Sequence, residues 1–296
     1  MMAYETVFGR GEVIAEKLRL KEQFDLNIRN LTQMGLIGAL PDSRGRGIVG
    51  ENWKEYPVLT IENLNTRVAQ AQELIEEKSE QGFTKLILVP FGMPLPLLTE
   101  RFNAFLNKKK SPEGRFTEGA DGKLIDMSLS DESLRIVSDE LLQPLIYFPE
   151  RLQKEGHGGR TKQELLETDA WQMLFVKEAR SPTDRRELKK GEWELEPKHS
   201  LEEYLAEMKK NNEQGMTPES WLILAAAELE EHGRLIDEVT NSIEVQGDTV
   251  ILPGAMTFSA DVPFGYSSSK YQVVYLGTQS AQSWDLGFSA RSSVRI

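Results

Sequence analysis

Ala260 to Ile296 reads ADVPFGYSSSKYQVVYLGTQSAQSWDLGFSARSSVRI, and these 37 residues decide how the rest of the chain is read. Between Val262 and Trp284 there is a single charge, Lys270, in a protein that is 28% charged. Tyr266, Tyr271 and Tyr275 fall here with Phe264, Trp284 and Phe288, and serines and glycines fill the intervals. Two readings share this composition. Tyr, Ser and Gly with an occasional Trp is the make-up of binding loops, where rigid amphipathic rings give contact area at little entropic cost. Tyr, Val, Phe and Trp also favour strands, so the same run describes two or three antiparallel strands joined by polar turns.

Outward from this stretch the texture changes. Asn241 to Gly254 is strand and turn, with Gln246-Gly247-Asp248 a hairpin signal between Ser242–Val245 and Thr249–Leu252. Before it, Thr217-Pro218-Glu219 opens a helix with a cap, a proline at the first position and an acid in the first turn. Trp221, Leu224, Ala225 and Leu229 form its inner face, and Gly233 ends it. Leu201–Lys210 is a short helix, and Ser181–His199, charged and bounded by Pro182 and Pro197, is a long surface insertion. Trp171–Val176 and Lys85–Phe91 are buried strands. Thr60–Glu80 is one helix capped by Thr60, and Pro96 opens another with Leu97, Leu98, Phe102, Phe105 and Leu106 as its stripe. Pro144 within Leu141–Phe148 demotes that strand to an edge or a broken one. Gly11–Met34 is a charged amphipathic helix, although Phe24, Leu26, Ile28 and Leu31 have a strand-like or fully buried look. Helices gather early and strands late, which is an α+β order.

The chain has 296 residues, 39% of them hydrophobic, enough for a substantial core. A net charge of −12 argues against nucleic acid or an acidic membrane as partner. With no cysteine there is no disulfide, zinc thiolate or thiol nucleophile. No signal peptide and no apolar run of membrane length is present, so a cytoplasmic origin without membrane insertion is expected, with later display through a virus or a partner left open. Only three histidines occur, and Glu228 with His232 is a surface pair one helical turn apart rather than half of a metal site. The Gly156-His157-Gly158-Gly159 run before a helix at Lys162–Glu167 is a tight turn, lacking the spacing of a nucleotide loop. No nucleophile-elbow or Walker sequence appears. No enzyme, no cofactor and no metal are therefore expected. Carboxylate pairs among the 47 acids keep a lectin-fold enzyme or carbohydrate-binding domain as the alternative.

The Val262-Pro263 start, the Tyr/Ser/Gln middle and the GFSARSSVRI close resemble the C-terminal variable region of diversity-generating retroelement proteins. Leu40–Gly50, Gly82–Leu95 and Gly215–Trp221 extend the resemblance, which touches most of the chain and is of the kind found in small-genome bacteria and archaea. It implies a C-type lectin-like fold, related to the scaffold of the formylglycine-generating enzymes, with an N-terminal helical extension over 1–55, a lectin-like domain over 56–296 and a variable region over 260–296. It implies a recognition protein whose hypervariable surface binds a protein ligand. In that family, adenines of a template are the targets, and Asn codons yield Tyr, Ser, Thr, Asp, Gly, Phe, Val or Ala. The resemblance therefore marks Phe264, Tyr266, Ser267, Ser268, Tyr271, Tyr275, Thr278, Ser280, Ser283 and Asp285 as diversified, outward-pointing positions. Trp284 is a fixed anchor of binding, and Lys270, Gln272, Gln279 and Gln282 are fixed as well. Arg291, Val294 and Arg295 belong to the scaffold, Val294 as a core strand residue and the arginines as partners of carboxylates elsewhere.

Overall fold

The computed structural model describes residues 15–43, 45–109, 115–116, 125–126, 134–177, 200–233, 235–237, 249–268, 273–280 and 289–296. The expected insertion at Ser181–His199, the turn at Gln246–Asp248, and Tyr271, Ser283, Trp284 and Asp285 lie outside these residues. The architecture is mixed α+β. In chain order the elements begin with α1 (Leu20–Gln33), β1 (Gly38–Ala39), β2 (Arg46–Val49) and β3 (Glu55–Pro57). They continue with α2 (Ile61–Gln70), α3 (Gln72–Glu80), β4 (Phe83–Val89) and α4 (Leu95–Lys109). A two-stranded pair follows, β5 (Arg115–Phe116) and β6 (Ile125–Asp126), then β7 (Leu134–Ile136), a 3-10 turn at Asp139–Leu142, β8 (Ile146–Tyr147) and β9 (Arg160–Thr161). Next come α5 (Lys162–Asp169), β10 (Gln172–Lys177), α6 (Leu201–Lys210), β11 (Gln214–Gly215) and α7 (Pro218–His232). The last part holds β12 (Val250–Ile251), β13 (Ala255–Met256), β14 (Asp261–Ser268), β15 (Val273–Ser280), β16 (Ser289–Ala290) and β17 (Ser292–Arg295).

Two sheets position the site. The first has the order β11-β17-β10-β4, with all neighbours antiparallel. The second has the order β16-β12-β14-β15-β7, built on the long antiparallel β14–β15 pair, with β7 parallel to β15 at its edge. Val294 is fully buried in β17, between β10 and β11, as the sequence predicts.

The central element is α7. Every residue from Pro218 to Leu229 is buried, so the inner face expected for it is in fact its whole circumference. A helix that is apolar nearly all round belongs inside. Its cap holds as expected: Thr217 and Ser220 form a capping box, Pro218 opens the first turn and Gly233 closes the helix in the left-handed region at φ 66°. Two buried acids interrupt the apolar surface, and each meets a lysine. Lys162 Nζ lies 2.6 Å from Glu219, which also accepts from the Tyr147 hydroxyl at 2.7 Å. Lys85 Nζ lies 2.7 Å from Glu228 and 3.1 Å from Glu231. Glu228 is therefore a core ion-pair partner and not the surface residue expected, with the His232 ring 4.0 Å away.

The helix α1 confirms helix over strand for Phe24, Leu26, Ile28 and Leu31, and the physical reason for their mixed look lies on β4. That strand is an edge of the first sheet, and its outward backbone groups meet side-chain amides one helical turn apart. Gln23 donates to Thr84 O at 3.0 Å and accepts from Leu86 N at 2.6 Å. Asn27 donates to Leu86 O at 2.9 Å and accepts from Leu88 N at 3.0 Å. The two amides stand where a further strand would, which covers an otherwise open edge. Leu20, Phe24 and Leu31 belong to the same apolar core as β4 and α7. Thr60–Glu80 is two helices, with Ala71 (φ −109°) breaking the run between α2 and α3.

Replacing Asn27 by Ala leaves a buried N–H and a buried C=O of β4 without partners. We expect a loss of about 2 kcal/mol or more in urea unfolding, from the desolvation cost of unpaired buried groups. Glu22→Ala, five positions away on the same helix and exposed, should change it by about 0.5 kcal/mol or less.

Candidate functional site: the outer face of β14 and β15

The register of β14 and β15 pairs Phe264 with Gly277, Tyr266 with Tyr275 and Ser268 with Val273. Residues paired across an antiparallel ladder share a face, and alternate residues take the opposite one. Pro263, Gly265, Ser267, Val274, Leu276 and Thr278 therefore line the inner face. Gly265 lies against the Trp221 indole of α7, so closely that a Cβ would stand 2.7 Å from the ring. Val274 and Leu276 join the main core. Phe264, Tyr266 and Tyr275 are on the outer face, each half-buried.

Those three rings form a row. Phe264 and Tyr266 stack at 6.2 Å between centroids with 13° between planes, and Tyr266 and Tyr275 at 4.6 Å with 14°. Two residues apart on one strand and directly opposite across the pair is the spacing that brings rings together on a sheet. Such contacts add about 0.5–1.5 kcal/mol beyond the area they bury. Each ring spends a face on its neighbour, so edges and hydroxyls remain for a partner. Burial, and then the neighbouring Tyr275, push the Tyr266 phenol above its ordinary value, so at neutral pH its hydroxyl stays protonated. Gly277 leaves the space that the Phe264 ring occupies: a Cβ there would meet Phe264 Cζ at 2.9 Å. Beside it, Val137 is 53% exposed, and the register of β7 sets exposed Arg135 opposite Tyr275. Further along the same sheet, Ile251, Val262 and Ala290 belong to a second apolar cluster with Leu201, Tyr204 and Met208 of α6.

Other positions marked from the sequence fall differently. The resemblance places Ser267 and Ser268 outward, and both are buried. Ser267 faces inward; its hydroxyl donates to Ile236 O at 2.6 Å and its N–H to Asp237 O at 3.0 Å, so it is part of the scaffold. Thr278 is also on the inner side, 2.8 Å from the Ser138 hydroxyl, and Ser280 is exposed at the strand end. A run of serines carries no hydropathy signal, so alternation cannot separate inward from outward there. Arg135 and Val137 were not singled out, because a three-residue edge strand far away in sequence gives no sign of its pairing.

Asp237 ties this sheet to the rest. It accepts from Arg291 through Nε at 3.0 Å and Nη2 at 2.6 Å, and from Trp221 Nε1 at 2.9 Å. Its backbone sits at φ 51°, a left-handed conformation that Asp tolerates better than most residues. Ser267 precedes the segment 269–272, and Arg291 follows the segment 281–288. Ser267 and Arg291 are therefore held by one residue. Arg295 pairs with Asp169, so both closing arginines meet carboxylates, as the sequence reading expects.

At the Gly156–Thr161 turn, a capping box already fills the start of α5. The Glu164 carboxylate accepts from Thr161 N at 2.7 Å, and this bond holds its pKa below the ordinary range. Among the described residues no group of three or more His, Asp or Glu could hold a metal, and no helix is long and apolar enough to cross a membrane.

Asp237→Ala strands Arg291 in the interior. We expect a loss of about 3–5 kcal/mol in denaturant unfolding, the usual cost of removing one partner of a buried pair. A second outcome concerns alkali. Tyr147 and Tyr266 both have folded-state values raised above the usual tyrosine range, Tyr147 well above, by burial first and then by neighbouring charge. The folded state then holds protons that the unfolded chain releases. That stability is fully present below about pH 10 and is lost as pH rises above it. Unfolding free energies measured from pH 8 to 11 should fall in that window, and Tyr147→Phe should flatten the fall. No protein-family model, curated protein or solved structure matches this chain.

Proposed function

We propose that the chain is a recognition protein on a C-type lectin-like scaffold, whose C-terminal variable region displays an outer face for a protein ligand. One observation carries this reading. Phe264, Tyr266 and Tyr275 stand half-buried on the outer side of a strand pair whose other face is packed on Trp221, with Ser267 and Arg291 tied to Asp237. Side chains can change on such a face without disturbing what holds the backbone, because surface positions away from caps and cores usually cost within about 0.5 kcal/mol. Aromatic side chains are also the ones that dominate binding energy when they change.

A carbohydrate site is the second reading, and the ring geometry speaks against it. Sugars pack on open ring faces, and Tyr266, stacked with both Phe264 and Tyr275, has little face to give.

The test has a genetic and a physical half. The DNA beside the gene should hold a near-copy of the final hundred or so bases, differing at adenines, next to a reverse transcriptase. Randomising Phe264, Tyr266 and Tyr275 together should leave most clones folded, each change costing about 1 kcal/mol from lost stacking. Randomising Gly265 and Ser267 should unfold most of them, read by protease resistance of displayed clones. Equal sensitivity of both sets would make these rings structural and end the display reading.

A further inference from the structure

The chemistry of the partner can be narrowed from the side chains that share the outer face, an inference that rests on the recognition reading above. Across β7, β15 and β14 the register places Arg135, Tyr275 and Tyr266 in one row; Gly277 and Phe264 pair in the next, with the Val137 side chain against Gly277. The other positions of this parity are Val262, Ser268 and Val273, all buried, and the partly exposed Gln279. No carboxylate stands among these positions in a protein carrying −12, and the one charge is the exposed guanidinium of Arg135. Acids border the apolar end of the face, where Asp139 and Glu140 follow Val137 and Asp261 is three positions from Phe264, while the Arg135 row is farther from Asp261. Asp261 is five positions from Tyr266 along β14 and of the inner-face parity. At about 3.4 Å per residue that is roughly 17 Å, more than the screening length of about 8 Å at physiological salt.

The long-range field of an acidic protein draws basic partners, but contact chemistry is decided within the screening length. There the face offers a planar guanidinium, tyrosine hydroxyls and an apolar shelf made of Val137 and the Phe264 ring. We propose that the face takes a polypeptide surface presenting an Asp or Glu beside an apolar side chain. The carboxylate sits on Arg135, with a tyrosine hydroxyl as further donor, and the apolar group lies on Val137 and Phe264. Guanidinium and carboxylate match in a two-pronged geometry that an ammonium cannot reproduce, and the bond is charge-assisted.

The probe is a random short-peptide library displayed on phage, selected at physiological salt against the full chain and three variants: Arg135→Glu, Tyr266→Ala and Tyr275→Ala. Melting temperature confirms that each variant is folded; Arg135 is exposed, so its change should leave stability in place. We expect the wild type to enrich peptides with an acid next to an apolar residue. Their affinity should fall roughly tenfold or more with Arg135→Glu, about 1.4 kcal/mol. Exchanging the peptide's acid for Lys should recover binding on that variant and lose it on the wild type. Peptides that need Tyr266 and Tyr275 but are rich in Lys or Arg, or that ignore Arg135→Glu, would overturn the acidic partner and leave the recognition reading standing. Peptides that ignore the tyrosine variants, or no enrichment at all, would overturn both.

Discussion

The carboxylate of Asp237 is the point on which the arrangement turns. It is buried beneath the second sheet and bonds the Trp221 indole of α7 and the Arg291 guanidinium, while its own backbone carbonyl receives the Ser267 N–H. A helix, a long strand and the entry to the final strand are thus fixed to one residue. A buried ion pair is weak evidence for net stability, since desolvating both charges costs about as much as their attraction returns. What it supplies is uniqueness, because any other packing of β14 against α7 would strand Arg291 without a partner. The left-handed backbone at Asp237 fits this role: local strain persists where surrounding bonds over-determine a conformation.

The same device recurs along α7. Glu219 and Glu228 are both fully buried near the two ends of the helix, and each meets a lysine from a different element, Lys162 of α5 and Lys85 of β4. The Lys162 ammonium also lies over the Phe91 and Tyr147 rings at 5.1 and 5.4 Å, which compensates part of its lost hydration. An apolar helix with no polar marks could slide or rotate in its channel at modest cost. With an acid near each end, only one rotation and one register satisfy both pairs. The Trp221 indole then sits at a defined height, and Gly265 can be laid against it.

This explains how a surface can be both ordered and changeable. The inner face of β14 and β15 is specified in detail: Gly265 by the absence of a side chain, Ser267 by two hydrogen bonds, Leu276 by the core. The outer face holds three rings that stack on one another, with Val262, Ser268 and Val273 of the same parity buried at its ends. In a strand the two sets alternate residue by residue, so the chain carries scaffold and display in the same eight positions without conflict.

The sequence by itself determined the local elements. The caps read at Thr60 and Thr217 mark helix starts that are both present, because a capping box uses only neighbouring atoms; Thr161 and Ser200 cap α5 and α6 in the same way. Periodicity marked β4, β10 and the apolar stripe of α4, and composition left the final stretch readable as strands or as binding loops. Tertiary structure alone decided which residues of that stretch face out. It put Ser267 inside and brought Arg135 beside Tyr275 across 140 positions of chain. It also set β17 between β10 and β11, made Glu228 a core residue, and gave β4 its edge cover from Gln23 and Asn27. The physical reason is common to all of these. A side chain's burial and a strand's partner are properties of what packs from a distance, and a polar residue reads alike in sequence whether water or a buried lysine awaits it.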